Sequence, residues 1–189
     1  LIMAGRYLNK NWWEMLSNAP GPILKMQLPI ADLGITNAQQ VSVALVSKVT
    51  RGGESETDST GVLKFTASDN PLQYSELGDV IDSTNVVVMA DSGGIADVNG
   101  DVKSLKVTAA DGSLTIDTTV AGVAMPPLDW YPENADKEYE FRWFFDVDNN
   151  AETGLKVNGI DGLGADVIAE IEFHSGEGRE VGTAYHPAL

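Results

Sequence analysis

Residues 139–154 read Tyr-Glu-Phe-Arg-Trp-Phe-Phe-Asp-Val-Asp-Asn-Asn-Ala-Glu-Thr-Gly, and this stretch decides the fold class. In its first half, Tyr139, Phe141, Trp143 and Phe145 fall at every second position. Side chains of an extended chain alternate between faces, so this spacing lines four aromatics along one face of a strand. In its second half, Asp146, Asp148, Asn150 and Glu152 alternate in the same way. A strand that runs directly into alternating oxygen donors predicts a β module with a cation-binding loop.

The flanking sequence repeats the strand signature. Leu24, Met26 and Leu28 share a face, and Val41–Val49 is rich in β-branched residues. Val62–Phe65, Asn85–Met89 and Val102–Thr108 are further short strands. Asp111-Gly112 forms a tight hairpin turn into Ser113–Val120, with Leu114, Ile116, Thr118 and Val120 facing one way. Asp166–Phe173 closes the series, with Val167, Ala169, Ile171 and Phe173 on one face. Helical spacing occurs once, in Arg6–Ser17, and Ala19-Pro20-Gly21-Pro22 ends it. Residues 51–61, Asp91–Asp101, Pro126–Lys137 and Asp146–Gly164 are expected as loops, 67–79 as a linker, and the last 16 residues carry little pattern. Many short strands joined by turns imply an all-β antiparallel sandwich or jelly roll.

Composition narrows the function. A chain of 189 residues makes one domain, or one domain and part of another, and can bury a core unaided. It contains no cysteine, which removes disulfides, zinc–thiolate sites and thiol nucleophiles. Twelve basic residues against 28 acidic ones give a net charge of −16. Such a balance argues against nucleic acid and against anionic membranes, both of which demand Lys and Arg. No apolar run is long enough to span a bilayer, so no membrane insertion is expected. Beginning at Leu1 without a leader pattern, the chain reads as a processed product or an excised piece. No Rossmann fingerprint, P-loop or nucleophile elbow is present, and an enzyme is not expected.

Residues 86–173 resemble the first half of the extracellular β-sandwiches related to family-nine carbohydrate-binding modules and the DOMON group. The resemblance rests on Met89-Ala90-Asp91 with Asp97-Val98-Asn99-Gly100-Asp101, on Asp111–Ile116, on Phe145–Gly154 and on Gly162-Leu163-Gly164-Ala165-Asp166. Residues 22–66 resemble the second half, through Leu24–Gly34, Val41–Val46 and Asp58-Ser59-Thr60-Gly61. The halves therefore stand in shifted order, as 1–66, a linker at 67–79, and 80–189. They complete one sandwich within the chain, or neighbouring copies complete one another in a filament or surface layer. The resemblance implies a non-catalytic module of a secreted or cell-surface protein.

Asp146, Asp148, Asn150 and Glu152 are the leading cation ligands, with Asp166 or Asp161 returning from the next strand. Calcium takes 6–8 oxygens at roughly 2.3–2.6 Å and suits such a loop. Ala151 and Val157 stand where an EF-hand needs its glycine and its bidentate glutamate, so this is not an EF-hand. The same residues also suit an Asx-turn hairpin that binds nothing. Asp97, Asn99 and Asp101, with Asp91, form a second acidic candidate. Trp130 and Tyr131, between Pro127 and Pro132, are the candidate glycan platform, while Trp143 is expected in the core. His174 and His186 share no ligand spacing, and Glu170 and Glu172 read as solvent-facing.

Overall fold

The computed structural model describes residues 21–36, 39–67, 80–82, 86–90, 94–110, 112–124, 137–174 and 181–187. The helix expected at Arg6–Ser17, the linker after residue 67, Asp91, and the loop carrying Trp130 and Tyr131 lie outside the described residues.

Among the described residues, two large antiparallel sheets carry the fold, with one short two-stranded pair beside them. In the first, β1 (Gly21–Pro29) lies beside β8 (Ser113–Ala124), followed by β7 (Val102–Ala110), β6 (Val86–Ala90) and β5 (Val80–Asp82). In the second, β13 (Val181–Pro187), β12 (Val167–His174), β9 (Lys137–Asp146), β2 (Gln39–Arg51) and β3 (Glu54–Ser59) run in that order. A further strand, β4 (Leu63–Ala67), pairs with the first part of β2. Residues 21–67 thus contribute strands to both sheets: β1 pairs with β8, and β2 pairs with β9.

On β1 and β8 the alternation seen in the sequence is the alternation of burial, whereas β2 and β9 also bury outer-face residues such as Ala44 and Phe144. Leu24, Met26 and Leu28 of β1 pack inward with Leu105 and Val107 of β7 and Leu114 and Ile116 of β8. Val41, Val43 and Leu45 of β2 face them, with Tyr139, Phe141, Trp143 and Phe145 of β9 and Val167, Ala169 and Ile171 of β12. Burying a side chain of this size stabilises by about 1.5–3 kcal/mol. Trp143 is fully enclosed, and its indole N–H donates across the core to Thr118 Oγ1 at 3.1 Å. That bond explains a threonine on an otherwise apolar face, because a buried indole donor needs an acceptor.

Three segments differ from expectation. Residues 51–61 hold β3 instead of a loop. Gly52 and Gly53, at φ 59° and 86°, form a two-residue turn of the left-handed kind that suits hairpins and fold Glu54–Ser59 back onto β2. Asp58, 6% exposed, accepts from the Val102 N–H at 2.8 Å and ties this polar strand to the opposite sheet. The weakly patterned C-terminal segment holds β13, whose ladder to β12 runs from Val167↔Pro187 to Phe173↔Val181. Backbone pairing of this kind needs no strong side-chain pattern. The stretch after Asp146 is only partly an acidic loop. It contains the short pair β10 (Leu155–Lys156) and β11 (Gly164–Ala165) and an apolar cluster of its own.

Candidate metal centre

Asp146 is the last residue of β9, and Asp166 stands just before β12, which pairs with β9. The Asp166 N–H donates to the Phe145 carbonyl at 2.8 Å, which fixes the two strand ends side by side. Asp148 follows Asp146 by two residues. One carboxylate oxygen from each of Asp146, Asp148 and Asp166 lies within 4.8 Å of the others. Two oxygens on opposite sides of a calcium ion at about 2.4 Å stand about 4.8 Å apart, so the spacing admits a shared ion.

The loop is organised around these carboxylates. Asn150 N–H donates to Asp146 Oδ1 and to Asp148 Oδ1, both at 2.9 Å. Val147 N–H donates to Asp166 Oδ2 at 2.9 Å. The Thr153 hydroxyl reaches Asp148 Oδ2 at 2.9 Å, and the Glu152 N–H reaches Asn150 Oδ1 at 3.1 Å. Asn149 sits in the left-handed region at φ 52°, which asparagine tolerates. Its amide binds the loop to β2: Ser42 donates to Asn149 Oδ1 at 2.8 Å, and Asn149 Nδ2 donates to Gln40 Oε1 at 2.8 Å. Gln39 Nε2 also donates to the Val147 carbonyl.

The three acids differ in environment. Asp146 is 1% exposed, Asp166 is half-buried and Asp148 is exposed, so the group opens to solvent on the Asp148 side. Burial pushes the Asp146 carboxyl above its ordinary range, the amides of Asn150 and Gly164 pull it down, and Asp148 pushes it up again. Among the described residues, none of the ion pairs of this protein involves Asp146, Asp148 or Asp166. Three carboxylates at this distance repel one another unless a proton or a cation is shared.

Of the expected ligands, Asp146, Asp148 and Asp166 come together. Asn150 lies within the loop and hydrogen-bonds to two of them through its backbone. The exposed carboxylates of Glu152 and Asp161 are not members of the group. Thr153, Asn149 and Ser42 were not legible as parts of the site. A threonine that donates to a carboxylate five residues earlier leaves no distinctive spacing.

The second acidic candidate is built differently. Asp97 is bound by Lys137 at 2.5 Å and by the Asn99 N–H at 3.0 Å. The Tyr139 hydroxyl also reaches it, at 3.3 Å, and burial raises the tyrosine's own pKa far above its usual range. Asn99 Oδ1 accepts from the Val123 N–H at 2.8 Å, and Asp101 pairs with Lys103 at 2.7 Å. Asp97, Asn99 and Asp101 thus do not form a shared carboxylate group. Lysine ammonium groups already supply the charge that a metal would bring.

No family model matches this chain, and neither a curated protein nor a solved structure matches it. Among the described residues, no helix is long and apolar enough to cross a membrane.

Proposed function

We propose that this protein is a non-catalytic, calcium-stabilised β-sandwich module of a secreted or cell-surface protein. The observation that carries the reading is the convergence of Asp146, Asp148 and Asp166 with no ammonium or guanidinium among their ion-pair partners in the described residues. Carboxylates, an amide oxygen and a hydroxyl are hard donors, and they suit calcium better than soft metals. The exposed flank leaves room for water to complete a coordination number of 6–8. Calcium is also abundant outside the cell, which fits a cysteine-free chain that must gain stability without disulfides. The β-sandwich and the acidic strand-to-strand loop agree with the resemblance to modules of the DOMON and family-nine carbohydrate-binding group.

The test is a calorimetric titration of metal-stripped protein with calcium, paired with thermal melts. Binding confined to the folded state stabilises by RT ln(1 + [L]/Kd), about 2.7 kcal/mol at 100 Kd. Wild type is expected to release heat and to melt higher with calcium, and an Asp146→Ala/Asp148→Ala variant to do neither. Magnesium prefers shorter, strictly octahedral contacts and is expected to substitute poorly. Absence of heat and of any melting shift in wild type would reduce the loop to a polar turn and remove the reading.

A further inference from the structure

The stretch 155–165 belongs to neither main sheet. Among the described residues, its two short strands pair only with each other, through Leu155↔Ala165 and Lys156↔Gly164. It nevertheless lies on the outer face of the second sheet. There Ile160, Leu163 and Ala165 bury against Ala44 of β2, Phe144 of β9 and Ile168 of β12. The register explains why those three sheet residues meet, since Ala44 pairs with Phe144 and Phe144 with Ile168. This cluster is separate from the main core, and the sheet lies between them.

The attachment is uneven. At one end the fit is tight. A methyl group on Gly164 would stand 2.1 Å from the Thr153 carbonyl oxygen and 2.6 Å from that of Asn150. A cleft of about 360 Å³ also lies between hairpin and sheet, lined by Arg142, Phe144, Leu155, Lys156, Val157 and Ile168. The tight end is the carboxylate loop itself, and the Gly164 N–H also donates to Asp146 Oδ2 at 3.4 Å.

We infer that residues 155–165 are a hinged cap that opens as one unit while the sandwich stays folded, and that occupancy of the Asp146–Asp148–Asp166 group sets how often it opens. Opening removes a small apolar cluster and the Gly164 N–H contact to Asp146 Oδ2, and it leaves every ladder of the main sheets intact. Such local units exchange their amides with free energies below that of global unfolding. The loop and the cap meet where Gly164 packs on the Thr153 and Asn150 carbonyls, so whatever holds the three carboxylates together also holds the hinge. The existence of the cap rests on packing alone. Its control by a cation rests on the function proposed above.

Native-state hydrogen exchange on the whole chain tests both parts. In metal-stripped protein the amides of 155–165 are expected to exchange together, at least about tenfold faster than the centres of β2 and β9. Calcium at 100 Kd is expected to slow them by up to about 100-fold, and by no more than it slows global unfolding, which loses the ion completely. Leu163→Asp charges the apolar cluster without touching a carboxylate. It should keep the cap exchanging fast even with calcium, with β9 still protected. Cap amides that exchange at the same rate as β2 and β9 would overturn the inference. So would equal loss of protection in cap and β9 in Leu163→Asp. Calcium heat without any change in cap exchange would overturn the coupling and leave the metal centre standing. A fast cap in a protein that releases no heat with calcium would remove the metal centre and its control, and leave the hinge.

Discussion

The turns at 97–101 and 146–152 look alike as sequence, and the folded protein treats them in opposite ways. Each alternates oxygen-bearing side chains beside a strand. In the first, Lys137 and Lys103 neutralise Asp97 and Asp101, and Asn99 caps the Val123 N–H. In the second, three carboxylates gather with backbone amides and hydroxyls as donors and no cation among their ion-pair partners in the described residues. The comparison teaches that the spacing of acids does not identify a cation loop. What separates the two turns is whether the fold also delivers ammonium groups to the same place.

The largest expected effect contrasts Gly164 of β11, packed against the carboxylate loop, with Gly100 of the other turn. Gly164→Ala drives a methyl into two backbone oxygens that have little freedom to move. Gly100→Ala meets mainly the Val49 Cγ2 methyl, at 2.3 Å, and side chains yield more readily than backbone. Overpacking costs typically 1–3 kcal/mol. Gly164→Ala should lie near about 3 and Gly100→Ala near about 1, measured by urea unfolding. Equal costs would mean that the carboxylate loop is not clamped against β11.

A second contrast uses charge. Lys137 and Asp97 are both mostly buried, with side chains 14% and 11% exposed. Lys137→Met strands the Asp97 carboxylate and should cost about 1.5–3 kcal/mol. That loss should be the same with and without calcium, because the lysine serves the other turn. A calcium-dependent loss would show that the two turns are not independent.

Legibility in the sequence followed the same division. The inward faces of β1, β2, β8, β9 and β12 could be read directly, because a half-buried strand must alternate. Trp143 was readable as core for the same reason. Asp146, Asp148 and Asp166 were readable because the first two are adjacent in spacing and the third opens the neighbouring strand. The Lys137–Asp97 pair was not, since 40 residues separate the partners and only the fold joins them. β3 has no apolar alternation to show, although Gly52-Gly53 between strand-forming residues is a hairpin signal that could have located it. The cap at 155–165 was hidden because Leu155, Ile160 and Leu163 sit singly among turn residues.

A third test is a slope instead of a step. An unfolded aspartate ionises as pH rises through the ordinary carboxylate range, while burial keeps the Asp146 proton on the folded protein to higher pH. The folded state then holds more protons than the unfolded state in that window, so stability falls as pH rises through it. Calcium requires the ionised form and should reverse the trend. Melts from about pH 4 to 7 with chelator should therefore fall across that interval, by less than the roughly 1.4 kcal/mol per pH unit of a full proton. The same melts with calcium should rise. Parallel curves would mean that the carboxylates never share an ion.

The smallest effect is the sharpest in sign. Asp148→Asn keeps the shape of the side chain and its acceptor oxygen for Thr153 and Asn150, and it removes one of the three negative charges. Asp148 is exposed, so solvent screens its repulsion and the relief amounts to about 0.2–1 kcal/mol. Without calcium the variant should therefore melt slightly higher than wild type. With calcium it lacks a charged ligand and should melt lower. Asp101→Asn offers the control in the other turn: it forfeits a lysine partner, so it should melt lower in both conditions. A crossing of the two melting orders for Asp148→Asn, absent for Asp101→Asn, would separate a carboxylate group that awaits a cation from one that the chain has already neutralised.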